Sequence, residues 1–175
     1  MEADTGPGTG ALESWIGEAQ ARLHNLPEAL RHYQNAATAL TADLEKYDDA
    51  RCDLAMVETK IGNTLLQMGK SSAAADQYKK ALETAKLSFS LEHMDLPALY
   101  AAAEAYAGIG DVAAAEARQT TDTAAQSRLW TEANTAYERS LNLWKQIPNP
   151  SPLSGNGYLA RTPQVVAQQM ASLKR

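Results

Sequence analysis

The sequence has 175 residues, of which 45% are hydrophobic and 21% are charged, and its net charge is −5. This length and composition predict one folded domain with a core, and they argue against a disordered chain. The acidic balance, with no Lys/Arg run longer than two residues, also argues against nucleic acid and anionic membranes as partners.

The first residues and the cysteine content bear on location. Residues 1–10 are acidic and glycine-rich, which differs from a secretory signal, and we expect them to be flexible. No stretch reaches the roughly 18 apolar residues that a membrane-spanning helix needs. Cys52 is the single cysteine, so an internal disulfide is excluded and a reducing compartment fits. We therefore expect a cytoplasmic protein with no membrane association.

The chain next contains two similar units, related by a shift of 45 positions. Helical spacing places four residues of the first unit on one stripe: Ala29, Tyr33, Ala36 and Leu40. The second unit repeats the stripe as Ala74, Tyr78, Ala81 and Ala85. Each stripe follows a helix that carries Gly17 or Gly62, where a close approach is expected. Short turns at 24–27 and 69–71 join the helices, with Gly69 suited to a left-handed cap and Pro27 to a first helical turn.

The second unit, from Ala55 to Leu87, resembles a tetratricopeptide repeat. The residues that carry the resemblance are Ile61-Gly62, Leu65, Gly69, Ala74, Tyr78 and Ala81. Two departures are Glu58, where a large apolar residue is usual, and the period of 45 instead of 34. The 11 additional residues are close to three helical turns, so longer helices keep the same buried face. The resemblance implies an all-α solenoid of antiparallel helix pairs.

A third unit is predicted to contain an insertion. Its first helix is expected over Leu99–Ile109, followed by a turn at Gly110-Asp111, with Ala103 equivalent to Gly62. Its second-helix stripe comes later, as Ala133, Tyr137, Ser140 and Leu141. An insertion of 18 residues near 111–129 accounts for the delay. Whether 111–147 forms one long helix or two stays open, because Thr120–Thr123 are weak helix formers.

The C-terminal part is predicted to end in a capping helix. Residues 148–162 are rich in proline and glycine and are expected to form a loop. Thr162 and Pro163 suit the start of a helix over 163–175, whose apolar stripe is Val166, Met170 and Leu173. The expected domain is thus helical repeats over 11–147, in three units with long helices at about 11–47, 49–90 and 95–147, closed by this cap.

The segment 128–175 also resembles the C-terminal repeat region of bacterial eukaryotic-like Ser/Thr kinases. The resemblance rests on Trp130, Ala133, Tyr137, Ser140 and Leu141. It implies a docking or regulatory region of a larger signalling protein. The catalytic His-Arg-Asp and Asp-Phe-Gly motifs of the kinase lobe are missing from this sequence.

No motif predicts catalysis, a cofactor or a metal. The G-x-G-x-x-A run at 108–113 needs a preceding strand to bind a dinucleotide, but an alanine-rich helix precedes it. Three scattered histidines lack metal-ligand spacing. Trp15, Trp130 and Trp144 stand beside apolar stripes and are expected to pack in the core.

The predicted function is to bind a protein or peptide. In the tetratricopeptide family the first helix of each pair lines a concave groove, and the resemblance implies these groove residues: Ser14, Glu18, Arg22, Thr59, Asn63, Leu66, Gln67, Tyr100 and Glu104. Thr59 and Ala101 replace basic residues that chaperone-binding members use to clamp a C-terminal carboxylate, so that mode is not expected. Self-association into a homo-oligomer is the alternative function, because an incomplete first unit leaves an end uncovered.

Overall fold

The computed structural model describes residues 8–47, 50–87, 96–147 and 161–173. Within these ranges the chain forms seven helices and no strand, which confirms the predicted all-α class. The helices are α1 (Thr9–Arg22), α2 (Leu26–Asp43), α3 (Ala50–Gln67), α4 (Ser71–Lys86), α5 (Leu96–Gln119), α6 (Thr123–Trp144) and α7 (Pro163–Ser172).

Consecutive helices pair into three hairpins, α1–α2, α3–α4 and α5–α6. The hairpins stack through α2 against α3 and α4 against α5, and α3 also lies against α5. The final helix, α7, rests on α6. None of the described helices is both long enough and apolar enough to cross a membrane.

The first two hairpins turn in the same way, 45 positions apart. His24 and Gly69 adopt positive φ angles of 58° and 74° at the helix ends. In each case the next amide closes the last turn, with Asn25 N to Gln20 O and Lys70 N to Leu65 O both at 2.9 Å. This pattern satisfies carbonyls that the helix leaves without partners. The sequence repeat is therefore also a repeat of backbone geometry.

Each hairpin packs a tyrosine ring against a glycine of its first helix. A Cβ at Gly17 would lie 2.7 Å from Tyr33 Cδ1, and a Cβ at Gly62 would lie 2.6 Å from Tyr78 Cε1. Both rings are almost fully buried. The glycines are thus required by space, because a methyl group would occupy the position of the ring.

The third hairpin corrects the predicted register. The expected turn at Gly110-Asp111 is wrong, because α5 continues through both residues to Gln119. Gly110 instead faces Tyr137, with its Cβ position 2.6 Å from Tyr137 Cε1. Gly110, rather than Ala103, is therefore the equivalent of Gly62. Ala103 and Gly110 are seven positions apart, which is close to two helical turns. The prediction therefore identified the correct face of α5 but placed the close contact about two turns too early.

With Gly110 as the equivalent of Gly62, the insertion in the third hairpin is shorter than the predicted 18 residues. Tyr137 follows Gly110 by 27 positions, whereas Tyr78 follows Gly62 by 16. The 11 additional residues, about three helical turns, lengthen the distal ends of α5 and α6. Between the two helices lies a break at 120–122, where Asp122 Oδ1 accepts a hydrogen bond from Ala124 N at 2.8 Å. Of the two alternatives for 111–147, the structure thus has two helices.

The ends of the domain differ in how far they follow the predictions. Gly10 was expected in a flexible segment, but α1 begins at Thr9 and Gly10 is buried against Leu40. At the other end, Thr162 caps α7 and Val166 is fully buried. Residues 1–7 and 148–160, which include most of the predicted loop, lie outside the described residues, as do 174–175.

Candidate functional site

The first helices of the three hairpins, α1, α3 and α5, carry all the predicted groove residues. Ser14 and Glu18 of α1 face α3, where Lys60 Nζ donates to Ser14 Oγ at 3.2 Å and to Glu18 Oε2 at 3.3 Å. Arg22 is exposed and pairs with Glu18 at 2.7 Å. These contacts tie the α1 edge of the groove to α3.

Two predicted groove residues belong to the core instead. Thr59 is 3% exposed and its hydroxyl donates to Ala55 O at 2.9 Å. Tyr100 is also 3% exposed, and its ring meets Trp144 edge-on with centroids 5.4 Å apart. Both residues line the shallow depression between α3 and α5, together with Asn63 and Glu104, but little of either side chain is exposed there.

Two further predicted residues, Leu66 and Gln67, stand at the C-terminal end of α3. Leu66 is half-buried and packs against the core, while Gln67 is exposed. Neither lines the depression in which Asn63 and Glu104 lie.

Arg161 occupies the centre of the predicted groove. Its Nη1 donates to Glu104 Oε1 at 2.7 Å and to Asn63 Oδ1 at 2.9 Å. Its Nε donates to Asp111 Oδ2 at 2.9 Å, and Nη2 lies 2.7 Å from the same oxygen. The guanidinium is buried, with 9% of the side chain exposed. Asn63 and Glu104, two of the predicted groove residues, are thus brought together by an arginine of the same chain.

Two tyrosine hydroxyls hold the acceptors around Arg161. Tyr78 Oη donates to Asn63 Oδ1 at 2.7 Å, and Tyr137 Oη donates to Asp111 Oδ1 at 2.6 Å. Burial raises the pKa of Tyr78 to about 12 and raises that of Tyr137 as well. Both hydroxyls therefore keep their protons at neutral pH and act as donors.

More acidic than basic groups meet around Arg161. Burial raises the pKa of Glu104, while the Arg161 guanidinium and the amide of Asn63 oppose that change. The two carboxylates of Glu104 and Asp111 raise the pKa of Arg161, against the effect of burial. One cation therefore faces two acidic groups in a buried position. We name Asn63, Glu104 and Asp111 the arginine cradle.

Sequence reasoning missed two members of this network. Asp111 was assigned to a turn, and Arg161 was assigned to a loop. Along the chain, Arg161 is 50 positions from Asp111 and 57 positions from Glu104. No short-range pattern signals such a pairing. The signal available was an arginine directly before the Thr162-Pro163 helix start.

A separate groove lies beside α1. Between α1 and α3 a groove is lined by Ala11, Met56 and Val57, with Trp15 at its edge. Trp15 is 60% exposed, so the expectation that it packs in the core is wrong. Trp144 is buried and Trp130 is half-buried, in agreement with that expectation. Among the described residues, no group of three His, Cys, Asp or Glu side chains could hold a metal ion.

No protein-family model and no curated protein sequence matches this chain. Among solved structures, the chain is similar to "BtubC (BKLC) from P. vanneervenii", with 18% identity and a TM-score of 0.56. The match covers 95% of this chain and 62% of that chain, so this chain spans less than two thirds of its length. At this identity the similarity concerns the helical fold alone.

Proposed function

We propose that this chain is a non-catalytic, cytoplasmic scaffold of the tetratricopeptide type that binds a peptide segment of another protein in the groove between α1 and α3. The observation that carries the proposal is the exposure of Trp15 beside the apolar side chains of Met56 and Val57. The resemblance of 128–175 to kinase C-terminal regions supports a docking role within a larger signalling protein.

Leaving an indole exposed to water is unfavourable, and a partner can remove that cost by covering it. A tryptophan buries roughly 200 Å² when it is covered by a partner, and such residues dominate the binding energy of many interfaces. The charged side chains near Trp15 are Lys60, which lines the same groove, and Glu18 and Arg22, which line an adjacent opening beside the indole. An apolar centre with a charged rim is the usual arrangement of a protein-binding surface.

Comparing Trp15→Ala with Leu23→Ala tests the proposal. Leu23 is 74% exposed at the end of α1 but does not line the groove, so it matches Trp15 in exposure. Both variants and the wild type are used to capture proteins from a lysate of the source organism. We expect a partner that is retained by the wild type and Leu23→Ala and lost by Trp15→Ala. Equal capture of the same proteins by all three would refute binding in the groove between α1 and α3.

Self-association is the second candidate, and the same surface favours it. Leu12, 55% exposed, lies one helical turn before Trp15 on α1, the first helix of the stack. Two copies could cover these side chains by stacking α1 on α1. Sedimentation equilibrium over a wide concentration range distinguishes the candidates: a dimer that Trp15→Ala dissociates supports self-association, and a monomer at every concentration rejects it.

A further inference from the structure

The contacts of Arg161 have the geometry of a recognition site. Three of its nitrogens meet acceptors on two different helices, Asn63 on α3 and both Glu104 and Asp111 on α5. A planar guanidinium presents its donors in a fixed fork that satisfies acceptors in this arrangement. A lysine ammonium is a compact point charge and cannot reach both ends of the cradle at once.

The cradle is also held by contacts other than those of Arg161. Asn63 Nδ2 donates to Glu104 Oε1 at 3.2 Å, and the hydroxyls of Tyr78 and Tyr137 donate to Asn63 and Asp111. Because these contacts do not involve Arg161, we expect them to persist when it leaves. Without Arg161 the cradle contains two acidic groups and no cation, which favours the entry of another cation.

The cradle is also continuous with the concave surface. Glu104 and Asn63 line a shallow depression between α3 and α5, together with Met56 and Lys60. Met56 and Lys60 also line the groove beside Trp15. A peptide lying in that groove can therefore extend a side chain towards the cradle.

Arg161 is followed by α7, a helix of 10 residues that has little stability of its own. Val166 of α7 is buried in a cluster with residues of α5 and α6, against which Met170 and Leu173 also pack.

We propose that the cradle of Asn63, Glu104 and Asp111 is a binding site for an arginine side chain of a peptide, and that Arg161 is its intramolecular ligand. The proposal rests on the proposed function in one respect, that the ligand is a peptide. Because Arg161 is tethered, it competes at an effective concentration in the millimolar range. The intact chain therefore binds an arginine peptide more weakly than a chain without Arg161.

The test uses Arg161→Gly and two probes, acetyl-Gly-Arg-Gly-amide and acetyl-Gly-Lys-Gly-amide, in calorimetric titrations. We expect saturable binding of the arginine peptide that is at least about tenfold tighter for Arg161→Gly than for the wild type. The lysine peptide is expected to bind at least about tenfold more weakly than the arginine peptide. Equal binding of the two peptides, or no gain over the wild type, would overturn the proposal.

Two further variants separate the cradle from other effects. Adding Glu104→Gln to Arg161→Gly removes one acidic group and is expected to weaken the binding. Adding Leu23→Ala, at an exposed residue outside both sites, is expected to leave the binding unchanged. The lysate capture tests the α1–α3 groove and the titrations test the cradle, so the two sites can fail independently. If Arg161→Gly does not fold alone, recovery of its helical circular dichroism by the arginine peptide becomes the readout. Recovery by both peptides, or by neither, then refutes the site.

Discussion

Glu104 and Arg161 form a buried ion pair, with 2.7 Å between Glu104 Oε1 and Arg161 Nη1, that joins α5 to the residue preceding the Thr162 cap of α7. The pair connects positions 57 residues apart and fills the middle of the surface that the family resemblance assigns to a ligand. Its strength therefore affects both the stability of the domain and the access to its concave face.

Removing Arg161 is expected to destabilise the domain. Arg161→Ala leaves the buried Glu104 and the half-buried Asp111 without their cation, and breaking a buried pair in this way costs about 3–5 kcal/mol. Glu104→Gln leaves Arg161 paired with Asp111 and is expected to cost less than about 1.5 kcal/mol. Urea unfolding followed by tryptophan fluorescence measures both free energies. Equal losses of unfolding free energy for the two variants would contradict the assignment of Arg161 as the one cation between two acidic groups.

The alkaline stability of the domain is expected to depend on Tyr78. Burial raises its pKa to about 12, whereas the unfolded value is near 10. The folded state retains a proton that the unfolded state releases, so the contribution of Tyr78 is fully present below pH 10 and is lost as the pH rises towards 12.

The comparison of wild type with Tyr78→Phe isolates this contribution. The difference in unfolding free energy between the two proteins is expected to shrink by about 2–3 kcal/mol between pH 10 and 12. Urea unfolding at several pH values in this range supplies the measurement. Parallel profiles would show that Tyr78 does not have a raised pKa in the folded state.

A methyl group at Gly108 is expected to be poorly tolerated. The ring of Tyr78 lies against two glycines, and a Cβ at Gly108 would be 2.2 Å from Tyr78 Cζ. Gly62 of α3 also lies close to the ring, with a Cβ position 2.6 Å from Tyr78 Cε1, and because the ring is fully buried we expect it to have little room to move. Overpacking of this kind costs about 1–3 kcal/mol, and the better helix propensity of alanine recovers up to about 1 kcal/mol.

Thermal and urea unfolding of Gly108→Ala measure this balance, and Thr131→Ala at an exposed position of α6 is the control. We expect a lower midpoint for Gly108→Ala and a change within about 0.5 kcal/mol for Thr131→Ala. A midpoint at or above the wild type for Gly108→Ala would mean that the ring has room to shift.

The two matched turns predict opposite effects for reciprocal substitutions. His24 has a positive φ of 58°, which costs a residue with a side chain about 1–2 kcal/mol relative to glycine. His24→Gly is therefore expected to stabilise the domain by about 0.5–1 kcal/mol, and Gly69→His to destabilise it by a similar amount. Denaturation midpoints of the two variants check the sign, and a loss of stability in His24→Gly would disprove the assigned role of the turn.

The stripe of Ala29, Tyr33, Ala36 and Leu40 shows what the sequence can predict. Helical spacing alone identified these residues as one face, and the structure buries all four. The start of α7 at Pro163 was likewise predicted from capping chemistry. These features depend on residues that are close along the chain, which is why the all-α fold was accessible to sequence reasoning.

Gly110 shows where such reasoning fails. Glycine serves both at a turn that needs a positive φ and at a close helix contact, and the sequence does not distinguish the two uses. Only the position of Tyr137 reveals that Gly110 belongs inside α5.

The predictions for Trp15 and Arg161 were wrong for a related reason. Whether an apolar stripe is covered, or a charge is paired, depends on elements distant in the sequence. The identity of a partner and the tetratricopeptide assignment stay predictions.

The position of Tyr78 has a consequence for how this molecule can change over evolutionary time. In most repeat arrays a hairpin contacts only its neighbours through similar surfaces, so units can be duplicated or deleted. Here Tyr78 fits between Gly62 of its own hairpin and Gly108 of the next, and its hydroxyl holds Asn63 against Arg161. A new unit inserted between α4 and α5 would separate Gly62, Asn63 and Tyr78 from Gly108 and Arg161. We therefore expect the second and third hairpins and α7 to be inherited together and not to be extended at this junction one repeat at a time.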